Sequence, residues 1–160
     1  MAAICNGLSL AGIRSYAATF FVFSDYLRPA MRLSGIMRQG VIYVYTHDSI
    51  GLGEDGTTHQ PVEHLAACRS IPRLIVARPA DANEVAHFYR AVVPMRDRPT
   101  ALVLTRQGVP TIDRNRFSSA TGAARGAYVL ADPPTGDPQV ILIGTGSEVS
   151  LCIDAYEQLT

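Results

Sequence analysis

The sequence predicts an α/β fold, a parallel sheet flanked by helices, and three observations carry that expectation. Short β-rich runs, "VIYVY" (41–45), "RLIVAR" (73–78) and "TALVLT" (100–105), are bounded by turn residues. Between them lie the helix-like segments "PVEHLAACRS" and "DANEVAHFYRAVV", and strands that alternate with helices pair in parallel. The composition is that of a core-forming protein: 160 residues, 48% hydrophobic and 18% charged, enough for one domain or one domain and part of another.

The elements follow in order. Residues 2–11 read as a helix. "MAAICNGLSLAG" is apolar but has no basic lead, and "YAATFFVF" stops at Ser24-Asp25 short of a membrane span, so both are assigned to the core. An opening on apolar residues without a polar lead-in gives the expectation that the chain begins inside a helix. From Phe20 onward, Phe23, Leu27, Ala30, Met31, Ser34 and Met37 recur at three- and four-residue spacing, while Asp25, Arg28, Arg32 and Arg38 lie elsewhere on the wheel. This is an amphipathic helix, and Pro29 requires it to kink there or to start near Ser24. Asp81 followed by Glu84 forms an N-cap with a capping-box partner and fixes the start of a later helix. After the proline- and glycine-rich "ADPPTGDP", the run "QVILIGTGSEVSLCIDAYEQL" reads as a new strand, turn and helix that open a second domain.

Fourteen basic residues balance fourteen acidic ones, so no overall field draws the chain to nucleic acid or an anionic membrane. Neither class is expected as a partner. Cys5, Cys68 and Cys152 are odd in number, far apart and in no C-x-x-C pair. They read as reduced core thiols of a cytoplasmic protein, with neither zinc nor a disulfide frame.

Gly51, Gly53 and Gly56 spell G-x-G-x-x-G after the first of the strand-like runs, which raises a dinucleotide loop, with Arg78 placed for an NADP 2′-phosphate. Two carboxylates, Glu54 and Asp55, lie inside that cradle, and the next helix begins only around Pro61. The same stretch gathers His47, Asp48, Glu54, Asp55 and His59 at the carboxyl end of a strand, where open α/β sheets bind ligands. A bland alternative has His47 and Asp48 capping the strand while the acids face solvent. His59 and His64 are five apart and share no helix face, which makes a poor metal site, and His64 reads as a solvated helix residue.

The stretch "THDSIGLGEDGTTHQPVEHLAACRSIP", preceded by "TFFVFSDYLRPAMRL" and followed by "ARPADANE" and "LTRQ", resembles the pyrimidine-binding middle domain of transketolases, which use thiamine diphosphate. "GTGSEVSL" resembles the opening of that family's third domain. The resemblance implies a thiamine-diphosphate-binding fold in truncated form. It assigns residues 1–122 to the pyrimidine domain, 123–138 to a linker and 139–160 to the start of the C-terminal domain. It implies transfer of a two-carbon ketol unit from a ketose phosphate to an aldose phosphate, in an enzyme that is a homodimer when complete.

By the family's pattern Phe20, Phe23 and Tyr26 form the aromatic pocket for the aminopyrimidine, although aromatics at this spacing are otherwise core residues. His47 and Arg106 fall on the sugar phosphate, Asp55 on a substrate hydroxyl, and His59 near the reacting hydroxyls as the catalytic candidate. These side-chain types suit such roles, since a guanidinium forks onto phosphate, a carboxylate accepts from a hydroxyl and an imidazole exchanges protons. Two departures stand out: Thr57 replaces the family's usual proline, and Ala11-Gly12-Ile13 stands where a His-Gly-Gly run is usual. The family's cofactor-activating glutamate falls just upstream of Met1. Its Mg²⁺ or Ca²⁺ and diphosphate ligands belong to a first domain whose G-D-G…N motif is absent here. The chain alone is therefore expected to be inactive. Dihydroxyacetone synthase shares much of the pattern, and an NADP module and a non-catalytic interaction fragment remain open as readings from other classes.

Overall fold

The computed structural model describes residues 1–160. In chain order the elements are α1 (Ala2–Leu10), β1 (Tyr16–Phe20), α2 (Ser24–Ile36), β2 (Ile42–Thr46), α3 (His64–Arg69), β3 (Ile75–Ala77), α4 (Ala82–Val92), β4 (Thr100–Val103) and α5 (Glu148–Leu159), with short 3₁₀ turns between some of them. The four strands make one sheet in the order β1-β2-β4-β3, and every neighbouring pair is parallel. The two strands predicted from the most continuous β-rich runs, β2 and β4, occupy its centre. Tyr43, Tyr45, Ala101, Leu102 and Val103 are fully buried there, as a strand covered on both faces requires.

The register places the carboxyl ends of the strands together. Phe20 pairs with Thr46, Tyr45 with Val103, and Ala77 with Leu102. Whatever follows β1, β2, β3 and β4 in sequence therefore emerges at one edge. Below this edge, Phe21, Met31, Val41, Tyr43, Tyr45 and Cys68 form the centre of the core. A buried polar triad ties the helices to the sheet: Ser34 Oγ lies 2.6 Å from Asn6 Oδ1 and 2.7 Å from Tyr43 Oη. Burial, only partly offset by Ser34, pushes the Tyr43 phenol up to about 12.

Two expectations are corrected and one alternative is decided. Of the two readings of the helix around Pro29, the start at Ser24 holds, because Tyr16–Phe20 is an edge strand. Its continuous apolar composition and the adjoining 3₁₀ turn Phe21–Phe23 concealed the change of period. The run at 139–143 forms no strand. The sheet takes all its strands from residues 16–103, and Val140, Ile141 and Ile143 stay 62%, 76% and 87% exposed, without a ladder for their backbone groups. His64 is not solvated; it is 4% exposed.

The chain divides into two compact units, Met1–Arg78 with Val92–Gln107, and Pro79–Ala91 with Gly108–Thr160. The first holds the sheet. The second is organised by the predicted cap: Asp81 Oδ1 accepts the Glu84 N–H at 2.9 Å, and Glu84 Oε2 accepts the Ala80 N–H at 2.8 Å. Glu84 thus reaches back one residue beyond the usual capping-box partner. Arg114 Nη2 donates to Asp81 Oδ1 at 3.1 Å, and the Tyr128 hydroxyl donates to Glu84. Burial, reinforced by Glu84, raises the Tyr128 phenol to about 12. Ala80, Ile112 and Phe117 form this unit's apolar centre, with Val149 and Ile153 of α5 against it.

Candidate active site

The loop after β2 is shaped by its glycines and by two buried anchors. His47, the first residue past the strand, takes φ 60°, and Gly53 and Gly56 take φ 71° and 78°, a region open to glycine and strained for most other residues. Gly51 serves by closeness: a Cβ there would come within 3.1 Å of Gln107 Nε2. Leu52 is fully buried and pins the middle of the loop. The three glycines of the G-x-G-x-x-G pattern are thus consumed by the turns and close approaches of this loop. Arg78, which the NADP reading offered to a phosphate, instead bonds Asp48 Oδ2 through Nε at 2.5 Å. Asp48 is buried at 2% exposure and does not simply cap the strand in solvent.

The loop's 3₁₀ turns Gly53–Asp55 and Thr57–His59 bring the acids and the second histidine back toward the strand ends. Asp55 Oδ2 lies 3.8 Å from His47 Nε2 and 3.4 Å from Arg106 Nε. Arg106 Nη2 lies 3.7 Å from Glu54 Oε1. The His47 ring stacks on Phe20 with centroids 3.8 Å apart, and its Nδ1 is 3.0 Å from Thr46 Oγ1. His59 sits edge-on to both Phe20 and Phe23, at 5.9 and 5.4 Å. Phe23 continues to Tyr26 at 6.2 Å.

The seven residues to which the resemblance gives a site role therefore join in one unbroken chain of contacts: Tyr26, Phe23, His59, Phe20, His47, Asp55, Arg106. Phe20, Phe23 and Tyr26 are not core residues, and Tyr26 is 82% exposed. They offer flat apolar faces at one end, while the other end offers a guanidinium, a carboxylate and an imidazole.

The family model described as "Transketolase, pyrimidine binding domain" matches residues 1–111. The chain belongs to the transketolase family. A second model, "Transketolase-like TK C-terminal domain", matches residues 126–160. The transketolase of Geobacillus stearothermophilus is 52% identical over 160 residues, covering 99% of this chain and 24% of the relative. A crystal structure of Pichia stipitis transketolase in complex with sedoheptulose-7-phosphate superposes with a TM-score of 0.91 at 42% identity, over 99% of this chain and 23% of that one. A split-gene transketolase described as an inactive β4 tetramer gives a TM-score of 0.56 at 28% identity, covering 69% of this chain and 35% of its own. The chain thus spans about a quarter of the length of the curated transketolases it matches.

Sequence reasoning missed two features of this cluster. The Asp48–Arg78 pair was hidden because its members lie thirty positions apart and meet only through the strand order. The Asp25–His64 contact, with Nε2 3.3 Å from Oδ2, links α2 to α3 for the same reason. Asp25, Glu63 and His64 each place a ligand atom within 4.8 Å of the others. The Asp25 carboxylate also meets Arg28 at 3.1 Å, which makes the group an ion-pair network.

Proposed function

We propose that this chain carries the substrate side and the pyrimidine side of a transketolase active site, serving transfer of a two-carbon ketol unit from a ketose phosphate to an aldose phosphate. The observation that carries this reading is the continuity of the cluster: the aromatic faces and the sugar-phosphate groups share Phe20 and His47 as direct neighbours, 3.8 Å apart. The relative solved with sedoheptulose-7-phosphate supports a ketose phosphate as the ligand class.

Arg106 presents a fork of N–H donors suited to a phosphate. Its present carboxylate partners, Glu54 and Asp55, stand where an anionic substrate would compete. Asp55 accepts a hydrogen bond from a sugar hydroxyl and fixes its stereochemistry. His47 holds the sugar phosphate beside Phe20. His59, an imidazole open to both donor and acceptor roles, exchanges a proton with the reacting hydroxyl. Phe20, Phe23 and Tyr26 cradle the aminopyrimidine ring, and stacked faces of this kind fit a flat heteroaromatic group. Thiamine diphosphate bound there would supply the carbon nucleophile for ketol transfer.

The family's Mg²⁺ or Ca²⁺ and diphosphate ligands have no counterpart in the residues described above, and in this reading they come from another part of a dimeric enzyme. The inactive β4 tetramer of the split-gene relative supports the view that this portion needs its complement. Residues 123–138 are proposed as the join between the two domains, although the C-terminal family model already begins at residue 126. No helix is long and apolar enough to cross a membrane. The free thiols of Cys5, Cys68 and Cys152 support a reducing, cytoplasmic setting.

The test is a chimera in which these 160 residues replace the matching segment of the Geobacillus stearothermophilus transketolase. Two-carbon transfer in a coupled assay is the expected result. A chimera that folds and dimerises but gives no turnover would overturn the proposal.

A further inference from the structure

We propose that the buried Asp48–Arg78 ion pair is a positioning element that fixes His47 beside Phe20 and Asp55, an inference that rests on reading His47 as a sugar-phosphate binder. Asp48 lies two residues past β2, and Arg78 directly follows β3. In the sheet β4 runs between these strands. The pair therefore straps across the end of β4, whose continuation carries Arg106. Both side chains are withdrawn from water, at 6% exposure for Arg78 and 1% for Asp48, with Nε and Oδ2 2.5 Å apart.

Two features separate this pair from an ordinary stabilising contact. Burying both charges is costly, and apolar side chains of similar volume commonly hold a core at least as well. The cost is heightened here because Asp48 Oδ1 has no hydrogen-bond partner. What a charged pair adds over an apolar one is direction. The residue beside Asp48 needs that direction: His47 holds φ 60°, a conformation that persists in a non-glycine residue only when its neighbours impose it. Thr46 is fixed on one side by its pairing with Phe20, and Asp48 is fixed on the other by Arg78. The imidazole between them is thereby aimed at the Phe20 face and at Asp55. Asp48 and Arg78 act through the backbone of the loop and are positioning residues, not catalytic ones.

The test uses the full 160-residue chain labelled at its four histidines, followed by NMR. Stacking on Phe20 at 3.8 Å displaces the His47 ring signals upfield, and His64, against Phe21 at 5.8 Å, reports whether the core is intact. In Asp48→Asn the His47 signals should move to their random-coil positions while those of His64 stay in place. Arg78→Lys, which keeps the charge but cannot present the same Nε donor, should give the same change to a smaller extent. Unchanged His47 signals in either folded variant would overturn the proposal. If both variants lose the His64 marker as well, the pair is a folding element and the positioning role is equally overturned. Failure of the sugar-phosphate reading would look different: the His47 signals of the parent chain would ignore a ketose phosphate, whatever the variants do.

Discussion

Arg106 Nε lies 3.4 Å from Asp55 Oδ2, so the residue assigned to the phosphate is already held by the residue assigned to the hydroxyl. A second carboxylate, Glu54, lies 3.7 Å from the same guanidinium and is 89% exposed along its side chain. An incoming phosphate must displace these acids. Exposed pairs of this kind are worth roughly 0.2–1 kcal/mol, so Glu54→Gln should tighten inorganic phosphate binding at Arg106 by only about 1.5- to 5-fold. An NMR titration of the Arg106 Nε–H reads the change, and weaker binding in the variant would show that Glu54 helps to hold the anion.

Two glycines should respond to alanine in opposite directions. A Cβ at Gly40 would lie 2.6 Å from Arg14 Nη1 and 2.7 Å from the Met95 carbonyl, in the contact where Arg14 bonds the Met95 and Val92 carbonyls. Gly40→Ala should destabilise the chain by about 1–3 kcal/mol. Gly7 lies inside α1 with nothing within 4 Å of its Cβ position, and Gly7→Ala should stabilise by about 0.5–1 kcal/mol. Urea unfolding of both variants gives the comparison.

Alkaline stability should fail through the buried tyrosines. Tyr43 and Tyr128 are pushed up to about 12 and Tyr45 is also raised, in each case chiefly by burial. A phenol whose folded pKa exceeds its unfolded value of about 10 contributes stability that is complete below pH ~10 and lost as pH rises through ~12. Tyr43 alone accounts for about 3 kcal/mol on this reckoning. Phenolate absorbance should show Tyr43, Tyr45 and Tyr128 ionising only with the loss of circular dichroism. Reversible ionisation of these three in a folded chain would contradict this.

The sheet was legible in the sequence wherever a strand was central. β2 and β4 were announced by β-branched and aromatic runs, whereas β1, with Tyr16 73% exposed, blended into the apolar start of the next segment. The Asp81 cap was readable because its chemistry is local, and the second unit is built on it. The candidate site was legible as a set of residues through the family motif, and as a polar cluster at a strand end without it. What no spacing disclosed was the joining of Phe20 to His47 and of Asp48 to Arg78, since both depend on which strands become neighbours.

On the reading proposed above, the isolated chain should show no two-carbon transfer even with excess thiamine diphosphate and Mg²⁺. It should also associate in solution. Ile4 and Leu8 on α1 and Leu33 and Ile36 on α2 are 67%, 38%, 50% and 65% exposed, and apolar faces of this kind seek partners. A coupled assay and light scattering check the two statements. Turnover above blank, or a monodisperse monomer, would contradict them.

The most direct test of the central claim is steady-state kinetics on the Geobacillus stearothermophilus chimera carrying Arg106→Ala or Asp55→Ala. Loss of a phosphate contact that is equal in ground and transition states raises KM far more than it lowers kcat, so the Arg106 defect should shrink with non-phosphorylated sugars. Loss of a hydroxyl contact should cost Asp55→Ala discrimination between sugar epimers, by about 1.5–3 kcal/mol. An Arg106→Ala enzyme indifferent to phosphate, or an Asp55→Ala enzyme weakened equally on both epimers, would contradict the assignment of this cluster to a sugar phosphate.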